Sequence, residues 1–173
     1  MAKLSGTKDK FANIAFLEVT ESAANTLTFA QLQLATTLMT EKAALIIHRA
    51  ELTVDDSVLN SSGDYVDVAL SVSDRIPSIS DLSQPELLFY MSLQRRDYGT
   101  AASGIILEWP LQADFTSLPG GGILVPADRL YIGIKGFGAA SASKGTMRLY
   151  YTIMALNTED YWDLIEARRV MTT

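Results

Sequence analysis

One stretch in the middle of the chain constrains the fold more than any other. Across residues 65–73 the apolar side chains fall at every second position. Val66, Val68, Leu70 and Val72 face one way, and Tyr65, Asp67, Ala69 and Ser71 face the other. Side chains alternate across a β-strand, so this is the pattern of a strand with one face in a core. A register slip of one residue would turn four branched apolar side chains out of that core. The pairing is therefore tightly specified.

The same reading extends in both directions. Residues 14–19 form a short apolar run, and Leu27 and Phe29 alternate with Thr26 and Thr28. Residues 43–54 are the longest strand candidate, followed by 86–94, 104–109, 122–125 and 130–135. In the last candidate, 146–156, Met147, Leu149, Tyr151 and Ile153 share one face, with Arg148, Tyr150 and Thr152 on the other. The stretch 29–42 carries the weakest pattern, and within it residues 30–35 read as a strand end or a helical turn. Pro77, Pro85, Pro110, Pro119 and Pro126 fall between the apolar runs, where a missing N–H breaks no ladder. Gly120, Gly121 and Gly122 mark a turn, and the Gly/Ala/Ser-rich stretch 136–145 predicts a mobile loop. About eight strands at these spacings predict an all-β antiparallel sandwich of jelly-roll type.

At the C-terminus the period changes. Asn157 or Thr158 caps a short helix running to about Met171. Glu159, Asp160 and Asp163 lie near its start and Arg168 and Arg169 near its end, matching the helix dipole. The predicted organisation is a flexible arm over 1–10, a sandwich domain over 11–156 and a helix over 157–173. A chain of 173 residues is the size of one domain and can bury a core without a disulfide or metal staple.

Charge and composition exclude several functions. The formal net charge is −6, which disfavours non-specific attraction to nucleic acid or anionic membranes. The absence of cysteine removes thiolate zinc sites and cysteine nucleophiles. No apolar run approaches the roughly 18 residues a membrane span needs, and no signal-peptide pattern follows Met1. The chain reads as soluble, without membrane insertion.

No catalytic group stands out. His48 is the only histidine, too few for an imidazole metal site, and no Gly-x-Ser-x-Gly elbow accompanies it. Asp55, Asp56, Asp64 and Asp67 border two strands but match no EF-hand spacing, and turns are where Asp is expected. The three glycines at 120–122 lack the Lys-Ser/Thr of a phosphate loop. The sequence predicts no catalytic residue, no cofactor and no metal. Lys3, Lys8 and Lys10 read as a solvated arm or as a weak nucleic-acid contact. The informative cluster is Tyr161, Trp162, Leu164 and Ile165. This apolar stripe must bury on its own sheets or against a second subunit, and the second alternative makes it a subunit interface.

A polar arm, about eight strands and a short tail make the chain resemble the single jelly-roll coat (capsid) proteins of small icosahedral viruses. The strands at 43–54, 65–73, 130–135 and 146–156 carry the likeness, which is architectural and has no signature motif. It implies a structural, self-assembling protein of the virion whose copies form a homo-oligomeric, icosahedral shell, with arm and tail making contacts between subunits. Many such proteins carry a strongly basic arm, and this chain does not. The resemblance therefore implies only weak genome contact, or other contents. Two alternatives stand beside it. One is a carbohydrate- or receptor-binding module, such as a phage fibre tip, using Tyr90, Tyr98 or Trp109. The other is a β-sandwich glycoside hydrolase using two separated carboxylates.

Overall fold

The computed structural model describes residues 12–33, 43–55, 59, 61, 63–97, 104–109 and 112–170. Two antiparallel sheets contain the strands among them. Sheet A holds β1 (Asn13–Thr20), β3 (Ala43–Val54), β7 (Gln112–Asp114), β8 (Ile123–Pro126) and β10 (Lys144–Ala155). Sheet B holds β2 (Thr28–Gln31), β4 (Tyr65–Ser71), β5 (Leu87–Asp97), β6 (Gly104–Trp109) and β9 (Tyr131–Phe137). One helix, α1 (Thr158–Val170), follows. The predicted arm, 1–10, and most of the ambiguous stretch before β3 lie outside the described residues.

The strand order identifies the architecture. In sheet A it is β1-β10-β3, with β7 and β8 both beyond β3; in sheet B it is β2-β9-β4-β5-β6. β7 pairs with residues 49–51 of β3 and β8 with residues 44–47, both antiparallel. They are one strand interrupted by the turn over 115–122. With these counted as one, and β6 set aside as an added antiparallel strand beyond β5, eight strands remain. They pair first with last, second with seventh, third with sixth and fourth with fifth, as the two arms of one long hairpin do. Rolling the hairpin sets the last strand against the third and the seventh against the fourth, which are the remaining pairs. This is a jelly roll, a two-sheet β-sandwich. β7 is the segment that the sequence did not reveal.

Between the sheets lies the core. Val66, Val68 and Leu70 of β4 meet Leu45, Ile47, Ala50 and Leu52 of β3 and Met147 and Leu149 of β10. Each such large side chain contributes about 1.5–3 kcal/mol by leaving water. In β3 the register slips at His48, because Ile47 pairs with Tyr151 and Arg49 with Tyr150. This bulge keeps Ile47 and Ala50 both inward and leaves His48 and Arg49 half-buried.

Two expectations need correction. Pro126 does not fall between strands; it ends β8, opposite Ala44, on an outer strand where a missing N–H is tolerated. The loop after β9 is not loose. The carboxylate of Glu21, itself buried, accepts N–H bonds from Gly136 at 2.7 Å and Ser143 at 2.8 Å. The Asn25 amide exchanges bonds of 3.1 and 3.0 Å with the Ala139 backbone. Residues far away in sequence hold this loop, so its own composition misleads.

Candidate functional site

The outward faces of the two sheets differ. Sheet B is roofed by the connection over 72–86, which buries Ile76 and Ile79. Gly133 of β9 makes room for it. A Cβ there would lie 2.7 Å from the Phe29 ring and 3.2 Å from Ile79, so only glycine lets the roof sit down. Under it Asp67, Ala69 and Ser71 are buried. Burial pushes the Asp67 carboxyl up from its ordinary value, against hydrogen bonds from Ser92 and Ser80 and the charge of Lys135.

Sheet A is roofed over one half only. Helix α1 begins at Asn157, whose side chain accepts the Asp160 N–H at 2.8 Å and donates to the Asp160 carboxylate at 2.8 Å. Tyr161 and Leu164, together with Leu124 of β8, pack on Ala44, Ile46, Met154 and Leu156. The Tyr161 hydroxyl donates to Asp128 at 3.0 Å. Burial, with that bond and the Asp128 charge, raises its pKa to about 12.

The other half carries no roof among the described residues. Phe16, Glu51, Thr53, Thr146 and Arg148 line a shallow groove of about 210 Å³. Beside it, Ile14 and Phe16 of β1 are 54% and 63% exposed. The Arg148 guanidinium lies 5.0 Å over the Phe16 ring, and Arg49 lies 5.6 Å from the Tyr150 ring. Glu51 takes Arg49 at 2.6 Å and Arg148 at 3.6 Å, and Glu18 takes Lys144 at 2.8 Å. Such surface pairs contribute about 0–1 kcal/mol each. Their larger effect is to leave the face amphipathic and nearly balanced in charge.

The residues singled out from the sequence fall in several places. Of the helix stripe, Tyr161 and Leu164 pack on their own sheet and Ile165 is buried, whereas Trp162 is 54% exposed, edge-on to Tyr161. Lys3, Lys8 and Lys10 lie outside the described residues, as do Asp56, Tyr98 and the side chain of Trp109. Tyr90 is half-buried. His48 Nδ1 bonds the Gly121 carbonyl at 2.7 Å, and Nε2 bonds the Thr152 hydroxyl at 3.1 Å. It fastens the turn between β7 and β8, where Gly120 and Gly121 take positive φ. Asp64 accepts the Ser61 N–H at 2.7 Å. Among the described residues no three His, Cys, Asp or Glu side chains gather as metal ligands, and no helix is long and apolar enough to cross a membrane. Ile14 and Phe16 were not foreseen. A signal existed: residues 14–17 are all apolar, so an edge strand there must leave one face open.

A second, polar cleft of about 450 Å³ lies where the 72–75 and 128–131 segments meet, lined by Ser73, Asp74, Arg75, Asp128, Arg129 and Tyr131. Burial and the charge of Asp74 push the Tyr131 phenol up.

No family model matches the chain, and no curated protein matches it in sequence. Among solved structures, the crystal structure of a 60-mer BFDV capsid protein is similar over 90% of this chain and 96% of that one. The sequence identity is 10% and the TM-score 0.31. The likeness is to a viral capsid protein, at a score that carries no argument. The jelly-roll assignment rests on the strand order.

Proposed function

We propose that this chain is a coat subunit that assembles with copies of itself into a closed, icosahedral shell and acts structurally rather than as an enzyme. The strand order carries the reading: an eight-strand jelly roll leaves its loops and sheet edges free for neighbours. That is an argument from architecture, since jelly rolls also serve other functions. Two features of this chain support it. One half of sheet A presents an amphipathic face, and Leu82, Leu118 and Trp162 stand exposed elsewhere on the surface. Three polar groups that could have done chemistry hold the fold instead. Glu21 holds a loop, His48 a turn and Asp67 the roof of sheet B. The arm with Lys3, Lys8 and Lys10 suits weak contact with a genome, and the particle itself is the proposed location.

Negative-stain electron microscopy of the purified protein tests this. Closed particles of uniform size are expected. A strictly monomeric species at every pH and salt concentration tried would end the proposal.

One observation favours a second reading, a carbohydrate- or receptor-binding module. The polar cleft offers carboxylates, guanidinium groups and a half-buried tyrosine to a hydroxyl-rich ligand. Glycan-array binding lost on Arg129→Ala would support it, and an array without hits would remove it.

A further inference from the structure

β1 is an edge strand that the usual devices do not blunt. Unpaired N–H and C=O groups on a sheet edge template another strand, so natural edges are shortened, broken or guarded by proline and lysine. The other edges with described side chains follow that practice. β2 has four residues. β7 and β8 have three and four, are split by a turn, and end on Pro126. β1 has eight residues, no proline, no glycine and one charge, Glu18, tied back to Lys144. Among the described residues its strand partner is β10 alone. Its outward face carries the exposed Ile14 and Phe16.

We propose that two copies of this chain pair their β1 strands antiparallel about a two-fold axis at Ala15, joining two copies of sheet A into one continuous sheet. This rests on the self-assembly reading and names one of its contacts. A two-fold interface must be self-complementary, and the sequence of β1 selects the register. An axis at Ala15 sets Ile14 opposite the partner's Phe16, and Phe16 opposite the partner's Ile14. Aromatic against β-branched is a favourable cross-strand pair, and here it occurs twice. Each Glu18 falls opposite the partner's Ala12. The two carboxylates then stand about 20 Å apart along the strands, at roughly 3.3 Å per residue. An axis at Phe16 would set Glu18 against the partner's Ile14, and one at Leu17 would set Phe16 against the partner's Glu18. An axis at Ile14 would leave Phe16 facing only the partner's Ala12. On the joined outward face, each Phe16 would lie between its own Arg148 and the partner's Ile14.

The chain contains no cysteine, so Ala15→Cys introduces one reporter thiol. Opposed Cα atoms in antiparallel strands are about 4.5–5.5 Å apart, within disulfide reach. Mild oxidation of the full-length A15C protein is expected to give a disulfide-linked dimer. Leu82→Cys, on the exposed roof of sheet B, serves as the control and is expected to stay at least tenfold less linked. Adding Phe16→Lys to A15C is expected to abolish the link while circular dichroism shows the fold intact; if the lysine unfolds the chain, Phe16→Ser replaces it. Absence of the A15C dimer overturns the proposal, as does a dimer that persists undiminished in the folded Phe16 variant. Microscopy separates the two levels. Closed shells without the A15C link reject the β1 pairing and leave the coat reading standing. Linked dimers without shells keep the pairing and reject the coat reading.

Discussion

The two outward faces of the sandwich solve the same problem differently. Each sheet buries its inner side chains against the other, and each then has a second face to dispose of. Sheet B disposes of it locally, because the connection over 72–86 folds back and seals Ile76 and Ile79 onto it, with Gly133 flat beneath. Sheet A uses α1 for one half and leaves Ile14 and Phe16 outside at the edge of the other. A sealed face adds stability to the subunit. An open amphipathic face adds little to it and keeps its contribution for association.

Denaturation experiments can break this comparison. The largest effect should come from the sealed face. Ile79→Ala is expected to cost about 2–4 kcal/mol in urea unfolding, and a loss like that of an exposed residue would show that the roof does not seal. Leu164→Ala, under the half-roof, is expected to cost about 1–2 kcal/mol. Tyr161→Phe removes one hydrogen bond to Asp128 and should cost about 1 kcal/mol. On the open half, Phe16→Ser should cost only about 0.5 kcal/mol, mainly the contact with Arg148. A cost as large as that of Ile79→Ala would mean that Phe16 is part of the subunit's own core.

Asp67 sharpens the comparison through pH. Its folded pKa is raised, so its contribution is fully present below the ordinary carboxylate value of about 3.9 and is lost as pH rises through the folded value. Asp67→Asn should therefore differ little from the natural protein in acid. It should become relatively more stable as pH climbs through that window, which unfolding midpoints across pH will show. An unchanged pH profile would mean that water reaches the carboxylate under the roof.

Local pattern made much of the fold legible. The alternation in β4 and β10 and the limits of β3 appear in the structure as they read in sequence, and of the two caps the sequence offered the structure uses Asn157. Tertiary coverage hid the rest. Asp67 and Ser71 read as the wet side of a strand and are buried, because residues later in the chain cover them. The unbroken apolar run Ala44 to Ile47 concealed which side of β3 was which, since both are covered there, by core and by α1. The helix stripe was visible, but its sequence could not say that Tyr161 and Leu164 would find their own sheet. The open face at Ile14 and Phe16 was masked by its neighbours Ala15 and Leu17, which made the whole run look like core.

The hairpin pairing of first strand with last also orders events in time. Asn13 pairs with Tyr151 and Thr20 with Lys144, across most of the chain's length. Contacts so distant form slowly, because the intervening loop must close before they contribute. On the ribosome β1 emerges well over a hundred residues before its partner β10. Until β10 follows, both of its edges are bare, and a nascent neighbour is as good a partner as β10. The strand best suited to join two finished subunits is therefore also the one most exposed to mispairing between unfinished ones, and prompt completion of each chain protects it.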